Sequence, residues 1–522
     1  MKKETLCIFA ILMLLASQIA VTNLCASTHK PEGELKIGLT TLYTQTFHPF
    51  RNYADIKIYI TPLFDYLVGL DEDGRLQPGI AYQWKESPDH LRWTFCIRDR
   101  VRFHDGTPLS LDDIKFSLDT ILDEKNVNAR TLFAPYLKRV EIEHPNKILV
   151  YLKKPWSTFL YQLSKAGVGG GIILPKNYIE RNGVESFNEH PIGTGPYRFL
   201  EKKEGDFIKY EAQGHHWRIG TPGYKYMTFR NIPEESTRIA ALRRGELDVA
   251  MISRARVGEL EKAGCPIVSK EASFDLQLFF IGTTEPDNPL SKREVRQALV
   301  HAIDKPAILK HIFMGRGKLI GHSFYMNSGS LSLDKTIPIS PYDPKMAKEL
   351  LSKAGYSKGF TIYHYVHQKK VPEVSTLAEV IASYWGAIGI KTKILEVDPS
   401  TFKAVYTRKK KAPGPASVVW VVDSEPTSQW RPIFHSNHQR YSWSRFGDAT
   451  MDKLIEAFDN QIDLEGYIKA DRECEKYVRE QYWISGIVGV NSPFATARNV
   501  PGWNCGRGNR GGFRFEYIGA KK

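Results

Sequence analysis

Asp423 closes a run of five apolar residues, Val418-Val419-Trp420-Val421-Val422, and its carboxylate is the clearest candidate for binding chemistry in this chain. A short apolar run rich in β-branched residues and ended by turn formers reads as a buried strand. A carboxylate at the mouth of such a strand is costly unless a positive group or a set of donors meets it. Two readings stay open on the residues alone: a turn aspartate capping its own backbone, or an anionic anchor for a cationic ligand group. Downstream, His435 and His438 form H-x-x-H, a spacing that can put two imidazoles on one helix face as metal ligands. Without cysteines or clustered carboxylates beside it, that pattern is more often incidental. His215-His216 is expected at the surface. Gly506, Gly508 and Gly511 match G-x-G-x-x-G, but no helix pattern follows them, so the dinucleotide reading fails its context.

The elements that position these residues belong to an exported chain. Met1-Lys2-Lys3, an apolar core from Leu6 to Leu15 and the more polar Gln18 to Ser27 follow the order of a secretory signal peptide. Cleavage after Ala26 is the expectation. Cys25 also invites acylation, but Leu24 stands where a lipobox wants a small residue. No later stretch approaches the ~18 apolar residues of a membrane span. The 522 residues are enough for two or three domains, and 42% hydrophobic content with 12% aromatics marks a globular chain. The net charge of +14 raises nucleic acid as a partner. Export argues against it, and so does the spread of the charges, of which Arg408 to Lys411 form the one run. With Cys7 and Cys25 in or beside the leader, Cys96, Cys265, Cys474 and Cys505 fit zero, one or two disulfides, and none has zinc or redox spacing.

Gly33 to Leu39 alternates as an opening strand, and Asp55 to Leu67 carries the apolar spacing of an amphipathic helix that Pro62 interrupts. Tyr82 to Asp119 reads as a strand from Gln83 to Glu86, a turn at Ser87-Pro88-Asp89-His90, an alternating strand from Leu91 to Ile97 and a tight turn at Asp105-Gly106. A helix then opens with Ser110 as N-cap and Asp113 three residues on. Gly282 to Ser291 is turn-rich, as a crossover between domains would be.

The Tyr82 to Asp119 block resembles the signature of the extracytoplasmic solute-binding proteins of the oligopeptide, dipeptide and nickel family (family 5). Its S-P-D-G glycine is His90 here, and the leucine of T-F-x-L-R is Ile97. Further matches follow in family order. Pro191 to Phe199 is similar to P-[IV]-G-T-G-P-Y-x-[FL], and Arg238 to Asp248 to R-x-x-A-L-x-x-G-E-[IL]-D. Val295 to Ile308, Tyr342 to Tyr356 and Trp385 to Ile390 resemble the family's later helices. Trp420 to Ser428 looks like the peptide-binding members' W-x-x-D-Y-x-[ED]-P-x-[ST].

The resemblance implies an α/β, two-lobed periplasmic-binding-protein fold (type II, cluster C-like) with a subdomain inserted in the first lobe. After the signal peptide (1–26), the first lobe would take 27–73, the inserted subdomain 74–190 and a return segment 191–271. The second lobe would take 272–488, and the tail 489–522 would rejoin the first. It implies the substrate-binding component of an ABC-type importer, a monomer that is no enzyme and holds no cofactor. Short peptides, glutathione among them, would be captured between closing lobes and passed to an inner-membrane permease. Asp423 would meet the peptide α-ammonium and Trp420 would line the cleft wall. Tripeptide-preferring relatives place an arginine six residues before that aspartate; here the position is Ser417, so the partner of the ligand carboxylate is open, with Arg431 and Arg440 as unsupported candidates. Nickel- and haem-type members share the framework motifs, which keeps a metal-chelate reading with His435 as runner-up. An exported hydrolase is the rival from another class, and H-E-x-x-H does not occur.

Overall fold

The computed structural model describes residues 30–42, 45–269, 274–323, 330–366, 371, 373–397, 402, 413–423, 430–436, 447–503, 505 and 513–521. The expected signal peptide, Cys25, Arg408 to Lys411, His438, Arg440 and Gly506 to Gly511 lie outside these residues.

Two large mixed sheets organise two lobes. The first has seven strands in the order Ile267–Ser269, Pro493–Thr496, Val249–Met251, Glu34–Leu39, Tyr226–Asn231, Phe207–Ala212 and Tyr197–Lys203. Glu34–Leu39 runs parallel to both of its neighbours. It is the expected opening strand, with Leu35, Ile37 and Leu39 buried. The second sheet has six strands in the order Gly317–Leu319, Ile484–Val490, Phe274–Ile281, Ala416–Asp423, Thr361–Val366 and Lys391–Glu396. Alternation along Phe274–Ile281 sends Leu276, Leu278 and Phe280 into one core and Phe279 and Ile281 into another. Helices covering both faces are what a strand as continuously apolar as Val418 to Val422 requires.

A separate antiparallel sheet, ordered Ala81–Glu86, Arg92–Ile97, Lys147–Leu152, Leu137–Glu143, carries the Tyr82 to Asp119 block. The capping box appears as expected. Ser110 Oγ accepts from the Asp113 N–H, Asp113 accepts from the Ser110 N–H at 2.8 Å, and the helix Leu111–Thr120 follows. His90 takes the left-handed backbone (φ +57°) that the glycine of the resembled motif would favour. The first helix differs from expectation. It spans Pro49–Ile60, with proline in its first turn, and the chain leaves it ahead of Pro62, so Leu63, Phe64 and Leu67 are buried beyond the helix. Gly193 and Gly195 seat the return segment on that turn. A Cβ at either would lie 2.2 Å from the Leu63 carbonyl or 2.4 Å from the Pro62 carbonyl.

The chain passes from first to second lobe after Ser269 and back after Val490. Ser269 pairs with Pro493 in the first sheet, and Phe274 with Val490 in the second, so the two passages begin and end at paired residues. Gly282 to Ser291 is a turn inside the second lobe, beyond Phe274–Ile281, and not the crossover its composition suggested. Cys96, Cys265 and Cys474 are free thiols. Among the described residues no helix is long and apolar enough to cross a membrane.

Candidate functional site

In open α/β sheets the ligand crevice lies beyond the carboxyl ends of the strands. In the second lobe three parallel-paired strands end at Val366, Glu396 and Asp423. Asp423 stands opposite Phe274, the first described residue of the entering strand, and Phe274 in turn stands opposite Val490, the last residue of the leaving strand. The main chain of Asp423 is therefore on the sheet edge that both inter-lobe passages share. Its side chain, and Ser424 to Gln429, lie outside the described residues.

The described residues on either side of that segment are packed. On the near side, Trp420 is half-buried, its ring 5.8 Å from Phe279 and 5.9 Å from Phe402. On the far side, Trp430 is fully buried and donates its indole N–H to Asp471 Oδ1 at 2.5 Å. Position 417 lies elsewhere. The Ser417 hydroxyl is buried and meets His364 Nδ1 at 2.8 Å, six residues and ~20 Å along the strand from Asp423. Burial pushes the His364 imidazole down to about 3, so this corner is a neutral interior contact.

Arg431 opens the short helix Arg431–Phe434 and forms an ion pair with Asp459. The charges of this pair also act on Tyr136, in the segment expected as the inserted subdomain. Burial, aided by the Asp459 charge and opposed by Arg431, pushes the Tyr136 phenol up to about 12. Tyr136 stacks on Trp156 at 4.5 Å and lies under the Lys154 ammonium at 4.6 Å.

His435 is buried against the helix Ala449–Asp459, 3.9 Å from Asp452 and 3.7 Å from Glu456. Among the described residues no group of three or more histidine, cysteine or acidic side chains is placed to hold a metal ion. His215 is exposed as expected, but His216 is not. It is buried, 3.1 Å from Asp65 Oδ2 and 2.9 Å from the Thr194 carbonyl, because the buried Asp65 needs partners. Arg218 donates to the other Asp65 oxygen at 2.7 Å and also reaches Glu516 and Tyr517 of the tail. Burial works to raise the Asp65 carboxyl, but His216 and Arg218 outweigh it and hold it at about 2.

A second buried polar group, unread in the sequence, lies one residue inside the Phe274–Asp423 pair. Asp275 meets His322 Nε2 at 2.9 Å, and Glu475 accepts from the Ser323 N–H at 3.2 Å. Burial raises the Glu475 carboxyl to about 7, against the pull of Arg479. Gly355 to Gly359 spells G-x-S-x-G, but it turns from helix to strand with Ser357 exposed, the reverse of a nucleophile elbow.

Comparison with known proteins agrees with this geometry. The family model described as "Bacterial extracellular solute-binding proteins, family 5 Middle" matches residues 75–441. The chain is 28% identical over 440 residues to heme-binding protein A of Haemophilus influenzae, covering 78% of each chain. It is 28% identical over 399 residues to the glutathione-binding protein GsiB of Pectobacterium atrosepticum, covering 72% of this chain and 74% of that one. The crystal structure of a dipeptide-binding protein from Pseudoalteromonas in complex with Met-Leu superposes with a TM-score of 0.73 at 21% identity, over 92% of this chain and 99% of that one.

Proposed function

This chain belongs to family 5 of the bacterial extracellular solute-binding proteins, and on that premise we propose that its solute is a short peptide bearing a free amino terminus. The peptide is taken up between the two lobes, with Asp423 meeting its α-ammonium and Trp420 standing in the adjoining wall. The loaded protein, a monomer outside the inner membrane, delivers it to an ABC permease. The observation that carries this reading is the place of Asp423. It ends a buried strand on the edge shared by both inter-lobe passages, where a ligand touching both lobes has to sit.

The lobe limits go with this proposal: 27–73, 191–271 and 489–522 for the first lobe, 74–190 for its inserted subdomain and 272–488 for the second, whose last strand the sheet pairing carries on to Val490. Closing on the ligand requires contacts that differ between the open and closed arrangements, and a ligand spanning the passages supplies them. Sheet-like hydrogen bonds to the peptide main chain would leave side-chain selectivity broad. The relative that binds glutathione, an amine-bearing tripeptide, is compatible with the same anchor.

The relative named for heme binding supports a second reading, a metal chelate or haem held near His435. Mass spectrometry of whatever stays bound through gentle purification separates the two. Short peptides are expected; a metal complex or haem, without peptide, would remove the peptide reading.

A further inference from the structure

The helix Arg254–Lys262 follows the first-lobe strand Val249–Met251, so its first turn stands at that strand's carboxyl end. Glu373, the N-cap of the second-lobe helix Val374–Ala387, follows the strand Thr361–Val366 in the same way. The side chains at these two helix starts meet. Arg254 donates through Nε at 3.1 Å and Nη2 at 2.6 Å to the two oxygens of Glu373, a forked pair in which the arginine side chain is 6% exposed. The remaining Nη1 donates to the carbonyl of Asn491, a residue of the returning passage. Arg254 also lies 5.6 Å from the Phe313 ring of the second lobe.

Two turns further along the same helix face, roughly 10 Å away, Glu261 accepts from Arg316 Nη2 at 2.8 Å. Arg316 immediately precedes the second-lobe edge strand Gly317–Leu319. One first-lobe helix therefore presents a positive and then a negative group to a negative and then a positive group of the second lobe. Alternating charges of this kind fix register as well as distance. Asn491 closes the arrangement by donating its side-chain N–H to Ser269 Oγ at 3.1 Å, which ties the two passages together.

We infer that the arrangement described is the closed one and that Arg254 and Glu261 are positioning residues: through Glu373 and Arg316 they clasp the lobes in it and set its share in the ligand-free protein. Both pairs cross from one lobe to the other, so rotation about the passages separates or shears them. A forked arginine–carboxylate pair, largely shielded from water, is among the stronger contacts available for this. Because the closed arrangement is the one in which both lobes touch a ligand, apparent affinity scales with its population. None of these four residues lies in the Asp423 segment, and the clasp operates whatever the ligand is.

Small-angle X-ray scattering of the full mature chain, freed of ligand, tests this without any assumption about the solute. Arg254→Met is expected to raise the radius of gyration, and 1 M NaCl is expected to do the same to the wild type by screening the more exposed Glu261–Arg316 pair. Arg316→Glu, which sets two carboxylates against each other, should raise it too. Adding Glu261→Arg to that variant should bring it back. A merely structural role would change the melting temperature without this reversal. An unchanged radius in both Arg254→Met and Arg316→Glu would overturn the clasp, as would a radius that Glu261→Arg fails to restore. Should Arg254→Met not fold, the Arg316→Glu and Glu261→Arg series decides alone.

Discussion

Asp423 and Phe274 stand opposite one another in antiparallel register at the sheet edge where the second lobe is entered and left. That pairing puts the candidate anchor beside both inter-lobe passages. A ligand held at Asp423 lies beside the passages about which the lobes turn, so a small rotation brings first-lobe groups onto it. Beyond the strand, the chain is next described at Trp430, which is buried and hydrogen-bonded to Asp471.

Asp423→Asn removes the charge and keeps the shape. For peptides with a free amino terminus the expected loss is roughly 2–5 kcal/mol of binding, the scale for truncating one partner of a desolvated charge pair. N-acetylated versions of the same peptides should lose much less. Titration calorimetry on the two sets makes the comparison. Equal losses would take Asp423 out of the amine-binding role.

Asp65 joins the turn after the first helix to His216 and Arg218 of the return segment, and through Arg218 to the tail. Its carboxyl is held at about 2, below the ordinary 3.8, so the folded protein releases this proton more readily than the unfolded chain. The stabilisation is therefore present above pH ~4 and is lost as pH falls from ~4 through ~2, roughly 2 kcal/mol in all. Asp65→Asn should cost about 3–5 kcal/mol at pH 7, because Arg218 is left without its main counter-charge. Urea unfolding at pH 5 and pH 2.5 checks both claims. If the variant loses as much stability between those pH values as the wild type, Asp65 is not the titrating group.

His90 occupies a left-handed turn position at φ +57°, where a side chain costs about 1 kcal/mol relative to glycine. Its ring lies 3.2 Å from Glu86, a half-exposed contact worth less than that. His90→Gly should therefore raise the melting temperature slightly. A lowered melting temperature would mean that the Glu86 contact outweighs the backbone strain.

What the sequence disclosed was what is encoded locally. Ser110 and Asp113 are three residues apart, and their capping box needs nothing else to form. Gly193 and Gly195 were legible as a tight segment because no other residue tolerates the approach to Pro62 and Leu63. Asp65 and Arg218 lie 153 residues apart, and Arg254 and Glu373 lie 119 apart. No spacing rule joins such pairs, since the topology of two sheets brings them together. His216 was misplaced for the same reason. Its neighbours in sequence are polar, and only the buried carboxylate of Asp65 draws it inside. Gly282 to Ser291 misled differently, because a turn between two elements of one lobe and a passage between lobes have the same composition.

Lys305 supplies the last prediction. It is buried near the start of the helix Lys305–His311, and its ammonium meets Ser485 Oγ at 3.1 Å, with no carboxylate in hydrogen-bond reach among the described residues. Burial lowers it from 10.5 to about 7. Between those values the unfolded chain holds a proton that the folded protein has given up. Stability must therefore rise with pH across this window, by up to about 1.4 kcal/mol per pH unit. Lys305→Met keeps the length and removes the titration, so the variant should be more stable than wild type at pH 7, and the gap should narrow towards pH 9.5. Urea unfolding of both proteins at pH 7, 8 and 9.5 reads this out. A gap that stays constant over that range would show that Lys305 keeps its proton in the folded state, with charge partners beyond Ser485.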